Sequence, residues 1–311
     1  MKKGIYTDIV KESSNFKADG KPLNIYNIIY LAHGYKHFLE EAYFSLLSLC
    51  NNINNKNYKI HIYTDHPEFF QNFDHLNINY IVLNKEKITL WKGENNFNHR
   101  LKIKVLKDFC ERFPNEKYLF LDSDTYVASP LNYLFDNIKH NQFVLDHNEG
   151  LLTQKKRTHI KSLYEFLVNN EGLGIKLEPE LHMWNSGVIG LDYSNHEILD
   201  KILETTDLLT RHINSHILEQ FAFAYHFQIR GKVKNASDLI HHYWYFKEMR
   251  KFISDFIEEN KNKNLDEQFE NVSNLNPQSI GAEKWNYKQS DFWSKIMFRL
   301  THFRKWKPIL K

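Results

Sequence analysis

Four apolar residues, YLFL at 118–121, run directly into Asp122-Ser123-Asp124, and Thr125-Tyr126-Val127 follows. An apolar run of this kind reads as a buried strand, so both carboxylates leave it at its carboxyl end. Acids at i and i+2 can offer oxygen ligands to one hard divalent cation, Mn²⁺ or Mg²⁺, which can in turn bridge a diphosphate. An Asp-x-Asp tripeptide alone is weak, because acids in turns commonly cap helices or face water. The apolar strand before it and TYV after it make this one specific.

Four other groups of residues suit the same chemistry. His241 and His242 stand in HHYW with Lys247 after them, downstream of the carboxylates. Neighbouring strand residues point to opposite faces, so only one imidazole of the pair should reach a metal. The chain has 17 histidines, so a core or solvated imidazole is the ordinary alternative. Asn185-Ser186-Gly187-Val188-Ile189-Gly190-Leu191 joins an amide able to orient hydroxyls to glycines that let backbone approach a ligand; a bulge in a core strand is the alternative. Glu219-Gln220 opens an otherwise apolar helix, either as a polar pair at a reacting centre or as residues that suit the helix dipole. Arg100 offers a planar charged fork to a diphosphate, or is a surface helix arginine.

The elements that must position these groups alternate in type. Strands are expected at 25–32, 59–63, 79–83, 118–121, 142–145 and 183–191. Helices are expected at 38–49, 98–112, 131–138, 162–169, 196–209, 217–227 and 243–257. The helix over 98–112 puts Leu101, Val105 and Phe109 on one face, and Pro114-Asn115 ends it. Such alternation implies an α/β fold, a mainly parallel sheet covered on both faces by helices. Ligands collect beyond the carboxyl ends of strands in these sheets, which is where Asp122 and Asp124 fall.

The YLFLDSDTYV run resembles the metal-binding motif of glycosyltransferases with an A-type fold, especially those of family 8. Three more stretches agree in order. Arg100-Leu101-Lys102-Ile103 is similar to the Arg-Leu helix that touches the donor, and NSGVIGL resembles the Asn-x-Gly strand lining the sugar pocket. His241-His242-Tyr243-Trp244 with Lys247 resembles the late segment where an imidazole completes the metal site and a lysine reaches the phosphates. The family's spacing to the lysine favours His241, whereas the following Tyr-Trp favours His242. Glu219-Gln220 would sit where members keep an acid–amide pair near the reacting sugar carbon. The resemblance spans about residues 25–250. It implies a Rossmann-like nucleotide-diphospho-sugar transferase fold with a mixed sheet, a nucleotide-sugar donor (a UDP-sugar), a glycan or lipid-linked acceptor, and retention at the anomeric carbon. Inversion would follow if Glu219 were a general base. Trp91, Trp184 and Trp244 can stack on sugars or fill core.

Composition fits this picture. The chain has 311 residues, 42% hydrophobic and 25% charged, enough for a substantial core. Cys50 and Cys110 each fall in an apolar helical pattern and read as buried thiols. The first twenty residues hold no long apolar run, and no stretch suits a membrane span, so a cytoplasmic protein is expected. Residues 291–311 carry six cations against Asp291, a net +5; with +3 overall, the remainder carries −2. That pattern argues against nucleic acid as a partner. In this tail Phe292, Trp293, Ile296, Met297, Leu300 and Phe303 share one side of a helix, a basic amphipathic arrangement suited to the anionic inner face of a membrane. Packing on the catalytic domain is the alternative. Related lipopolysaccharide-building enzymes end in similar tails. The expected division is a catalytic domain over 1–258 and a polar linker with the tail over 259–311.

Three other protein classes share parts of this pattern. Aspartate-nucleophile phosphatases also place Asp-x-Asp after an apolar strand, but need Thr where Tyr126 stands and carry the motif near the start of the domain. A sugar nucleotidyltransferase would need an N-terminal glycine-rich pyrophosphate loop, which is missing. A non-catalytic nucleotide-sugar-binding protein of the same fold would not require both acids.

Overall fold

The structure, a computed structural model, describes residues 25–53, 57–154, 157–275, 286–287 and 290–302. Seven strands form the main sheet: β1 (Tyr26–Ala32), β2 (Tyr58–Thr64), β3 (Ile78–Val82), β4 (Lys117–Leu121), β6 (Gln142–Leu145), β9 (Val188–Asp192) and β10 (Lys232–Asn235), in the order β10-β6-β9-β4-β1-β2-β3. The half β3-β2-β1-β4 is parallel, as is β10 with β6. Strand β9 runs antiparallel to both of its neighbours, β4 and β6. The sheet is therefore mixed and Rossmann-like, less purely parallel than alternation alone suggests. Two small pairs lie beside it: β5 (Thr125–Val127) with β11 (Ile240–His242), and β7 (Asn148–Leu151) with β8 (His182–Trp184).

Alternation along the strands divides the core into two layers. Ile28, Tyr30, Leu119 and Leu121 face a cluster built on α1 (Lys36–Asn52), α8 (Met249–Asn260) and α9 (Leu265–Ser273). Ile29, Tyr118 and Phe120 face the opposite layer, formed by α3 (Arg100–Arg112), α6 (Ile198–Thr210) and α7 (Leu218–Arg230). Leu101, Val105 and Phe109 of α3 are fully buried, as their spacing requires. Helices α2 (Lys85–Lys92), α4 (Asn132–Asn137), α5 (Thr158–Val168) and α10 (Phe292–His302) complete the named helices among the described residues. No helix among them is long and apolar enough to cross a membrane.

Three stretches differ from expectation. The strand expected over 183–191 is two strands, β8 and β9, because the Asn185 side chain accepts from the Gly187 amide at 2.8 Å and turns the chain between them. The helix expected from residue 243 starts at Met249, since Tyr243 N–H still donates to the Asp124 carbonyl at 3.1 Å. Part of the polar 259–290 stretch is the helix α9, started by a capping box of Asn264 and Glu267. It buries Val272 and Gln268 against α1, where the Tyr43 hydroxyl donates to Gln268 at 2.8 Å. Tyr126 donates to the Val272 carbonyl at 3.1 Å. Within the tail, Phe303, Arg304, Lys305, Lys307 and Lys311 lie outside the described residues.

Candidate metal centre

The carboxyl ends of β4 and β6 and the amino end of β9 meet at one edge of the sheet, because β9 runs the other way. The Asp122 amide donates to the Gly187 carbonyl at 2.8 Å, extending the β4–β9 ladder by one residue. Beyond that point β5 pairs with β11, setting His242 opposite Thr125. Asp122, Asp124 and His242 are thus gathered from segments more than a hundred residues apart, and their ligand atoms lie within 4.8 Å of one another.

The imidazole of His242 is held at both nitrogens: Nδ1 is 2.9 Å from Asp146 and Nε2 is 3.1 Å from Asp124. Asp146, at the end of β6, also bonds His147 Nδ1 at 2.8 Å. Burial works against charge on His242, but Asp124 and Asp146 outweigh it and raise the imidazole to about 10. Burial would likewise raise Asp124, yet His242 and Lys247 hold it below the ordinary carboxylate range. Lys247 Nζ stands 3.8 Å from Asp124. Gly187 has no side chain because His242 occupies the space above it: a Cβ there would lie 2.1 Å from His242 Nδ1. Its lack of bulk serves the imidazole.

Two carboxylates and an imidazole whose other nitrogen is fixed by a carboxylate form a donor set suited to a divalent cation. The residues present therefore fit Mn²⁺ or Mg²⁺. His241, on the other face of β11, points away from this cluster, and burial keeps its imidazole down at about 4.

Sequence reasoning passed over Lys102 as an individual group. It is buried, donates to Asp122 at 3.0 Å and to the Ser186 carbonyl at 2.9 Å, and stands 3.6 Å from Glu219. Its position two residues beyond Arg100, one step from the apolar face of α3, was the available signal. Arg100 itself is engaged elsewhere, bidentate to Asp207 at 2.7 and 3.0 Å and bonded to the Trp91 carbonyl. Glu219 is 1% exposed and accepts from Ser186 at 3.1 Å; burial pushes its carboxyl up to about 7 despite Lys102. Gln220 donates to Glu149, which also pairs with Arg157 at 2.6 Å. Asp146, a lone acid after QFVL, was also passed over.

One cleft of about 1180 Å³ brings most of these residues together. Asp122, Asp124, Asn185, Glu219, Gln220, His242 and Lys247 line it, with Lys102 and Trp244. Arg100 and His241 are not among its lining residues. Trp91 is core, with Lys87 Nζ 4.3 Å from its ring centre, and half-buried Trp184 packs against the α3 layer. The Arg157 guanidinium lies 5.1 Å from the Trp244 ring centre.

No family model and no curated protein matches the chain in sequence. Among solved structures it is similar to the galactosyltransferase LgtC in complex with donor and acceptor sugar analogues, at 15% identity and a TM-score of 0.48, covering 68% of this chain and 73% of that one. It is also similar to mouse xyloside xylosyltransferase 1, at 13% identity and a TM-score of 0.46, covering 68% and 84% respectively. A third is the glycosyltransferase GlyE of Streptococcus pneumoniae TIGR4, at 16% identity and a TM-score of 0.44, covering 85% and 64%. These are likenesses of outline.

Proposed function

We propose that the chain is a divalent-metal-dependent glycosyltransferase that moves a sugar from a nucleoside-diphosphate sugar, a UDP-sugar, to a hydroxyl of a glycan or lipid-linked acceptor. The observation that carries this reading is the Asp122–Asp124–His242 cluster opening into a cleft that also holds Lys102 and Lys247. When bound there, Mn²⁺ or Mg²⁺ would neutralise the departing diphosphate. Asp122, Asp124 and His242 would hold the ion, and Asp146 keeps the imidazole aimed at it.

Lys247, exposed and beside Asp124, is free to swing onto the leaving phosphate. Lys102 ties Asp122 to Glu219, so that both carboxylates keep one orientation. Glu219 is sealed against Ser186 and Lys102, which favours a positioning role over removal of the acceptor's proton and so favours retention. Asn185 and Gln220 line the cleft, which supports a role in orienting sugar hydroxyls.

A thermal-shift series with UDP-sugars tests this. With Mn²⁺ and ligand at about a hundred times its dissociation constant, about 2.7 kcal/mol of stabilisation is expected. Asp124→Ala should abolish it, and UDP should be released on incubation. A shift of the same size without any cation would count against the centre.

The exposure of Phe292, Trp293, Met297 and Leu300, between 57% and 73%, supports a second element of the reading, a peripheral membrane contact. Helix α10 is docked through Phe298, whose ring is 5.0 Å from Tyr287; Ile296 is half-buried, whereas the four exposed residues turn outward with Lys295 and Arg299 nearby. An apolar face rimmed by cations suits an anionic lipid surface next to a lipid-linked acceptor. Sedimentation with vesicles of anionic and of neutral lipid should show binding to the anionic ones alone, lost in Trp293→Ala.

A further inference from the structure

Arg250, in the first turn of α8, lines the same cleft as Asp124 and Lys247. Its Nε donates to Glu41 Oε1 of α1 at 2.9 Å, and its guanidinium carbon lies 5.3 Å from the Phe38 ring centre. Glu41 is 2% exposed, and its second oxygen has no hydrogen-bond partner among the described residues. A buried carboxylate in that state is strongly destabilising without its cation, so the pair pins the arginine in one rotamer. The clamp uses Nε alone. Neither Nη1 nor Nη2 bonds a protein group among the described residues, and the side chain keeps 27% exposure. A guanidinium fixed at one edge and open at the other presents a rigid two-donor fork, the geometry that recognises phosphate oxygens.

Lys247 stands three residues before it, on the Asp124 side. Two cations of different kinds therefore face one part of the cleft: a mobile ammonium by the metal centre and a preset fork behind it.

We propose that Arg250, held by Glu41, is a donor-binding residue that grips the distal phosphate of the nucleoside diphosphate together with Lys247. This rests on the nucleotide-sugar reading above. The distal phosphate is favoured over a phosphate on the acceptor because Lys247, three residues before Arg250, stands 3.8 Å from Asp124 of the proposed ion site, where the diphosphate would be held.

The test is calorimetric titration of UDP and of UMP, each with Mn²⁺, into the wild-type chain, Arg250→Gln and the double variant Glu41→Gln/Arg250→Gln. The double variant leaves no orphan charge, so it keeps the measurement meaningful should the single one fold poorly. Arg250→Gln and the double variant should bind UDP at least about tenfold more weakly, while UMP affinity stays within about twofold. Wild-type-like UDP affinity in the double variant overturns the proposal. Equal losses for UDP and UMP also overturn it, because they would show that the pair only braces α1 against α8. If the wild-type chain binds neither nucleotide with Mn²⁺, the glycosyltransferase reading itself falls, a result distinguishable from the other two.

Discussion

Replacing Gly187 by alanine adds one methyl group at the most crowded point of the candidate metal centre. The new Cβ would lie 2.1 Å from His242 Nδ1 and 2.2 Å from its Cε1, where unstrained contact needs about 3.5 Å. The ring must retreat by more than about 1 Å. It cannot do so freely, since Asp146 holds one nitrogen and Asp124 the other. Overpacking of this kind costs about 1–3 kcal/mol. A further cost of about 1 kcal/mol or more follows if either charge-assisted bond breaks. The functional effect should exceed the structural one, because metal–ligand distances tolerate only about 0.2 Å of error. Losses of about 10–100-fold in cation affinity are expected from displacing the group that orients a ligand, and here the ligand itself moves. Urea unfolding gives the first quantity and calorimetric titration of Mn²⁺ in the presence of UDP the second. In Gly187→Ala/His242→Ala the clash is gone, so stability should return towards that of His242→Ala while cation affinity stays low. Wild-type affinity in Gly187→Ala would falsify the assignment of His242 as a ligand.

Further outcomes follow from the buried charges. Lys102→Met keeps the volume but strips Asp122 and Glu219 of their shared cation, and should destabilise by about 3–5 kcal/mol at neutral pH in denaturant titrations. Glu219 titrates near 7 when folded against 4.5 as a free group, so between those values the native state holds a proton that the unfolded chain has released. Stability should fall as pH rises through that window, with a cost of about 3 kcal/mol fully present above it. Glu219→Gln should flatten that slope and leave the variant the more stable of the two at pH about 8, since Lys102 keeps Asp122; an unchanged slope in melting temperature against pH would refute it. Asp146→Asn, which weakens the anchor on His242 Nδ1, should lower Mn²⁺ affinity about tenfold or more without unfolding the chain.

Periodicity carried most of the large elements. The alternation in YLFL and IYNIIYLA and the Leu101–Val105–Phe109 stripe are direct imprints of burial, so strands and helices fell close to where they lie. The direction of β9 was not legible: VIGL is equally apolar in a parallel or antiparallel neighbour, and only pairing with Leu121 and Leu145 decides it. Carboxylates after a buried strand pointed to the candidate cluster, and the rule that strand neighbours face opposite ways leaves His242 alone of HHYW in it. Lys102 and Asp146 were hidden because each makes its contacts across the sheet edge with segments far away in the chain. Arg100 drew attention through the resemblance, but its partner Asp207 lies on a helix whose docking onto α3 no local pattern reveals.

The helix α9 reaches beyond its own layer. Tyr126, two residues past Asp124, hangs its hydroxyl on the Val272 carbonyl, and Val272 is sealed in the core. A chain cut back to residue 260 would leave that phenol with nothing to hold and would uncover the α1 surface beneath. Slackness would then pass along the backbone to Asp124, an acid of the proposed ion site. A segment that looks from its composition like disposable spacer is thus a brace, and shortening the protein there should loosen the Asp122–Asp124–His242 cluster before it costs solubility.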